Sequence, residues 1–202
     1  MNTESTDNKE MKPELDFRKF AEAMCEKSAR LDVYTRIMKA FPNADVSCSP
    51  QFQSDFSYFY RLRGTTEWRR LYFGVFQRLR SVDGVSIADI LRALVMPSER
   101  PRLYLSFSSK MLHTFRPDMP IWDSVVAGHF DLRNPSPQNS IEQRIDEAVH
   151  LYGELCERMT RLLNTEEAKL AVAQFDSFLP KYSWLTSTKK IDFILWQNRD
   201  TL

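Results

Sequence analysis

The chain has 202 residues, 43% hydrophobic and 27% charged, with a formal net charge of +1 at pH 7. This is an ordinary globular composition, long enough for one domain with a real core or two small helical lobes sharing one. Five glycines argue against a turn-rich β-fold or a Rossmann-type loop, and three scattered cysteines (Cys25, Cys48, Cys156) and three histidines give neither a disulfide framework nor metal spacing.

The opening MNTESTDNKEMKPE is polar and lacks the apolar core of a signal peptide. It predicts a disordered tail over residues 1–13, followed by a single domain over 14–202. No apolar run approaches the roughly 20 residues of a membrane span. A reducing, cytoplasmic location with no membrane partner is therefore expected.

In chain order, Leu15–Phe41 predicts one long helix, with Phe17, Phe20, Met24, Leu31, Tyr34 and Ile37 recurring mostly at three and four. Pro42 should stop it. Pro50 lies near the next start, and Phe52, Phe56, Phe59 and Tyr60 form an aromatic stripe at helical spacing. Gly64-Thr65-Thr66 breaks that helix, and either threonine can cap Glu67–Arg80. Asp83-Gly84 is a turn signal, and Ser86 with Asp89 reads as a capping box leading Ile87–Val95. Leu103–Phe115 is a further helix, Pro117–Pro120 a turn, and Asp123 the cap of a short helix ending near Phe130. Ser140–Leu163 is long and strongly periodic. Thr165 opens a helix that ends near Pro180, and TSTKKIDFILWQNRD closes the chain with Ile191, Ile194, Leu195 and Trp196 expected to be buried. No stretch alternates as a strand and no repeat is visible, so the expected class is all-α.

Charge is unevenly spread. Arg61–Arg102 holds nine arginines against four acids, whereas Asn139–Phe178 holds eight acids against four bases. The middle of the chain can face an anion; equally, arginines on amphipathic helices can simply be solvated.

One stretch carries chemistry. SKMLHTFRPDMPIWDSVVAGHF, from Ser109 to Phe130, runs from a helix through a Pro-bounded turn into Pro-Ile-Trp-Asp. Its Ser-Lys-x-Leu-His followed by Pro-Ile-x-Asp-Ser resembles the helix-hairpin-helix DNA glycosylases, above all prokaryotic proteins with an 8-oxoguanine-glycosylase-like fold. In that superfamily an apolar-Pro turn delivers the catalytic aspartate to a helix start. The resemblance covers Leu103–Phe130 and extends to KKIDFILWQ (Lys189–Gln197). It departs from the pattern at the hairpin: the superfamily's turn is of the Leu-Pro-Gly-x-Gly type, while MPSERPRLYLS here has no glycine. The resemblance thus implies a glycosylase-like domain with a degenerate hairpin, needing no cofactor or metal.

Its implied residue roles follow. Asp123 would stabilise the positive charge that develops on a sugar when its base departs, although an aspartate at a helix start is also a common cap. The nucleophilic lysine of bifunctional members has no counterpart around Tyr104–Ser106. Lys110, elsewhere on the helix, is a candidate Schiff-base nucleophile, or else a solvated lysine or phosphate contact. Arg100, Arg102, Ser106, Ser109 and His113 are candidate DNA-backbone contacts, with a core hydrogen bond as the other role for His113. Trp122 and Trp196 are candidate walls for a flipped base. The expected function is base excision from DNA. The alternatives are a non-catalytic module of the same fold that binds DNA or a protein, and a helical assembly module unrelated to DNA.

Overall fold

The computed structural model describes residues 13, 15–27, 29–96 and 101–198, with backbone alone over 25–27. The expected tail lies outside that range apart from Pro13, as do residues 97–100 of the MPSERPRLYLS stretch, including Arg100. The described residues form α-helices and one 3-10 turn and contain no strand, so the chain is all-α. No helix among them is long and apolar enough to cross a membrane.

The helix expected over Leu15–Phe41 is described as α1 (Phe17–Lys27) and α2 (Ala29–Ala40), residue 28 lying outside the described residues. Side-chain caps then set most of the starts. Ser49 accepts from the Phe52 N–H with Pro50 at the first helical position, opening α3 (Pro50–Tyr60). Thr65 does the same for α4 (Thr66–Leu79). Ser86 and Asp89 close a reciprocal capping box on α5 (Ile87–Ala93), and Ser140 with Gln143 closes another on α8 (Ile141–Leu163). Thr165 opens α9 (Glu166–Phe178), and Thr186 opens α10 (Ser187–Gln197). Between these lie α6 (Leu105–Phe115) and the short α7 (Ser124–His129). The stop after α3 comes earlier than Gly64: Arg61 itself adopts the left-handed conformation, φ 52° and ψ 43°, that ends a helix.

Two features position the site. The first is an aromatic core in which Phe56 contacts Phe52, Tyr60, Tyr72, Phe73 and Phe76, tying α3 to α4. The second is α10, which packs against α1, α7, α8 and α9. Its Thr188–Leu195 stretch is buried throughout, including Lys189, Lys190 and Asp192.

Phe56 is fully buried among rings that cannot close over its absence. Phe56→Ala should therefore cost about 3–5 kcal/mol of unfolding free energy. Leu170→Ala, on the exposed face of α9, should stay within about 0.5 kcal/mol. Urea denaturation of the two variants checks the contrast.

Candidate functional site

The turn between α6 and α7 is held from several sides. His113 of α6 donates from Nδ1 to the Met119 carbonyl at 2.7 Å. Because that carbonyl can only accept, Nε2 is the acceptor, and the Tyr34 hydroxyl of α2 donates to it at 2.8 Å. Tyr152 of α8 donates to the Pro120 carbonyl at 2.8 Å. Thr186, the cap of α10, donates to the Pro117 carbonyl at 2.8 Å. The Trp122 N–H donates to Ser109 Oγ at 2.9 Å, and the Ser109 hydroxyl donates to the Ser106 carbonyl at 3.0 Å.

Asp123 follows directly and caps α7. Its Oδ1 accepts from the Val125 and Val126 N–H groups, both at 2.9 Å. Among the described residues Oδ2 has no hydrogen bond, and the side chain is half-buried. At the far end of α7, His129 Nε2 donates to the Leu195 carbonyl at 2.9 Å, docking the helix on α10.

Asp123 lines a cavity of about 520 Å³ between the α6–α7 turn, the end of α3 and the outer face of α10. Five residues singled out from the sequence meet in its walls: Ser106, Lys110, Trp122, Asp123 and Trp196. Lys110 Nζ donates to Ser106 Oγ at 3.0 Å and lies 4.9 Å from the centre of the Phe107 ring. Burial lowers its pKa to about 8. The Asp123 and Asp192 carboxylates oppose that shift, while the Lys189 and Arg61 charges add to it. Trp122 is buried and donates from its indole N–H to Asn134 Oδ1 at 3.1 Å. Trp196 is half-buried rather than buried, and two guanidinium groups lie against its ring.

Two expected DNA contacts are corrected. His113 is 1% exposed with both ring nitrogens engaged, and burial pushes its pKa to about 3, so it is a neutral core histidine. Ser109 is fully buried and spends its hydroxyl on the turn. Neither reaches a phosphate. Arg102 is exposed and stands outside the cavity walls. The arginine-rich stretch is also partly committed. Arg92 pairs with Glu142 and Asp146 of α8 at 3.6 and 3.7 Å, and Arg80 bonds the Pro42 and Ala44 carbonyls.

Four charged residues of the wall were not among the candidate site residues: Arg30, Arg61, Lys189 and Asp192. Lys189 Nζ, 2% exposed, meets Asp192 Oδ2 at 2.7 Å inside a ring of Tyr34, Phe59 and Phe193. Burial raises the Asp192 pKa against the pull of Lys189. The signal existed: Lys189, Asp192 and Trp196 recur at three and four along α10, so a lysine and an aspartate share one face of a helix that is mostly apolar after Lys190.

No protein-family model, no curated protein and no solved structure matches the chain. The described fold and cavity define an all-α protein with a charged internal pocket. Among the described residues no group of three or more His, Cys, Asp or Glu side chains could hold a metal ion.

Lys110 gives a prediction with a definite sign. Its pKa falls on folding from 10.5 to about 8. The unfolded chain therefore binds the extra proton between these values, and stability rises with pH across that window. Below about pH 8 the burial penalty is fully present. Lys110→Met should thus unfold at a higher temperature than the parent at pH 7, with the gap closing as pH climbs from 8 toward 10. Thermal melts across that range check it, and a variant less stable than the parent at pH 7 contradicts it.

Proposed function

We propose that the chain is a DNA glycosylase-like base-excision protein that cleaves the N-glycosidic bond of a modified base. One observation carries this reading: Asp123 and Lys110 share the walls of one cavity with Trp122 and Trp196. Its volume, about 520 Å³, falls in the range of about 300–1,000 Å³ typical of small-molecule pockets.

The chemistry is a dissociative displacement. The base leaves with the electron pair of the C1′–N bond, and positive charge grows on the sugar ring. The Asp123 carboxylate, fixed by two backbone N–H groups through Oδ1, stabilises that charge with its other oxygen. Water then adds to C1′ and passes a proton to the departed base. A deprotonated Lys110 can add in place of water, because its lowered pKa leaves a usable free-amine fraction near neutral pH. On that route Lys110 Nζ bonds C1′ and gives a proton to the departed base, and the C1′–O4′ bond then breaks as O4′ takes the second proton, leaving a covalent imine.

A second reading is supported by the same N–H contacts. Asp123 makes a complete helix cap, and a cap alone would suit a non-catalytic member of the fold that binds DNA or a protein partner.

Asparagine is as good a cap as aspartate, so Asp123→Asn should keep the fold and lose the charge. Against a panel of duplexes carrying oxidised, alkylated and deaminated bases, the parent should release one class of base, scored as alkali-labile strand breaks. The variant should be slower by about 100- to 1,000-fold while still binding the duplex. A parent that binds but releases nothing supports the second reading.

Borohydride trapping on abasic DNA separates the two nucleophiles. A Lys110-dependent adduct that grows as pH rises through about 8 assigns the lysine, and no adduct leaves water.

A further inference from the structure

Trp196 sits in the cavity wall with two cations against one ring. The Arg30 guanidinium carbon lies 5.6 Å from the ring centre and that of Arg61 lies 5.3 Å away. Each is within cation–π range. Neither guanidinium hydrogen-bonds or ion-pairs with another described side chain. Two other arginines are matched by acids: Arg36 grips Asp55 at 3.0 and 2.7 Å, and Arg92 faces two acids of α8.

The charge around the cavity makes the mismatch plain. Its walls hold four cationic side chains, Arg30, Arg61, Lys110 and Lys189, and two carboxylates, Asp123 and Asp192. Asp192 is satisfied by Lys189 at 2.7 Å, and Asp123 by backbone N–H groups. Neither carboxylate bonds either arginine, and the two guanidiniums bring like charge to one indole. An anion held by both offsets that like charge and takes up donors that no acceptor among the described residues uses. Planar guanidinium forks suit the oxygens of a phosphate.

We propose that Arg30 and Arg61 form a phosphate subsite at this cavity, binding the phosphate of a nucleotide whose base enters the pocket, with Trp196 as the platform that orients both guanidiniums. This rests on the nucleotide-processing reading above and deepens it by naming the group that docks the ligand. It also changes the role of Trp196, whose ring is engaged by arginines and serves the phosphate rather than the base. The phosphate belongs either to a polynucleotide or to a free mononucleotide.

The test uses the full chain and two double variants. Arg30→Gln/Arg61→Gln removes both charges, and Arg30→Lys/Arg61→Lys keeps them. Circular dichroism and melting temperature confirm that each is folded. Binding is measured by fluorescence anisotropy for a duplex carrying a tetrahydrofuran abasic analogue, across a salt series. Calorimetry covers purine nucleoside 5′-monophosphates and the corresponding nucleosides.

The glutamine pair should weaken duplex binding at least tenfold and lower the slope of log affinity against log salt by about 1, for the one phosphate no longer neutralised. The lysine pair should hold the slope near that of the parent. If the ligand is free, the monophosphate binds the parent, the nucleoside does not, and the glutamine pair abolishes the difference. Two results overturn the proposal: a folded glutamine pair with unchanged affinity and slope, or a parent that binds neither duplex nor monophosphate.

Base release is scored separately. Arginine-dependent binding without any released base overturns the base-excision reading and leaves the subsite standing. Release with arginine-independent binding does the reverse.

Discussion

The structure depends on how the turn between α6 and α7 is pinned. Four separate elements hold eight residues of irregular backbone: His113 from α6, Tyr152 from α8, Thr186 from the start of α10, and Tyr34 of α2 through the histidine ring. A net hydrogen bond contributes only about 0.5–1.5 kcal/mol, but a buried carbonyl left without its donor costs about 1–3 kcal/mol. The arrangement is therefore close to all-or-none. Once the carbonyls of Pro117, Met119 and Pro120 are bonded, Ile121 and Trp122 are committed to the core, and the next residue, Asp123, emerges at the cavity wall. Thr186 couples the turn to the opposite wall, since the same hydroxyl that donates to Pro117 accepts from the Lys189 N–H at 3.2 Å.

Burial of charge gives the cavity its character. A helix core made only for stability would not place a lysine and an aspartate where α10 places Lys189 and Asp192, because desolvating both costs more than their attraction returns in most settings. The surrounding aromatic faces of Tyr34, Phe59 and Phe193 soften that cost with their π-electrons. Lys110, drawn into the same low-dielectric space, loses basicity as a result. A pocket that sacrifices stability to hold such groups fits a chemical role better than a structural one.

Much of this was readable from the residues, and the part that was not has definable causes. Caps announce themselves locally, so Thr65, Ser86 with Asp89, and Thr165 mark their helices from sequence alone. Asp123 and Lys110 were legible because their chemistry and the Pro-Ile-Trp context lie within one short stretch. Ser109 was misread, and His113 was left between a phosphate contact and a core hydrogen bond, because helical spacing tells which face a residue is on and not whether a partner from elsewhere will satisfy it. The partner of His113 is Tyr34, and the serine's is the folded-back Trp122 amide. Arg30 escaped notice, and Arg61 was legible only as part of the basic stretch, for the same reason: they reach Trp196 only after helices distant in sequence have packed. The break at Arg61 was invisible to a search for glycine because an arginine takes up the left-handed position.

The central claim is that the α6–α7 turn holds one carboxylate where a sugar can reach it. A crystal structure of the protein with duplex DNA bearing a tetrahydrofuran abasic analogue tests that claim most directly. The account predicts the analogue's ring inside the cavity, with the atom corresponding to C1′ at about 3–3.5 Å from the Asp123 carboxylate. A duplex bound on another face, or a sugar unable to pass the cavity mouth, contradicts it.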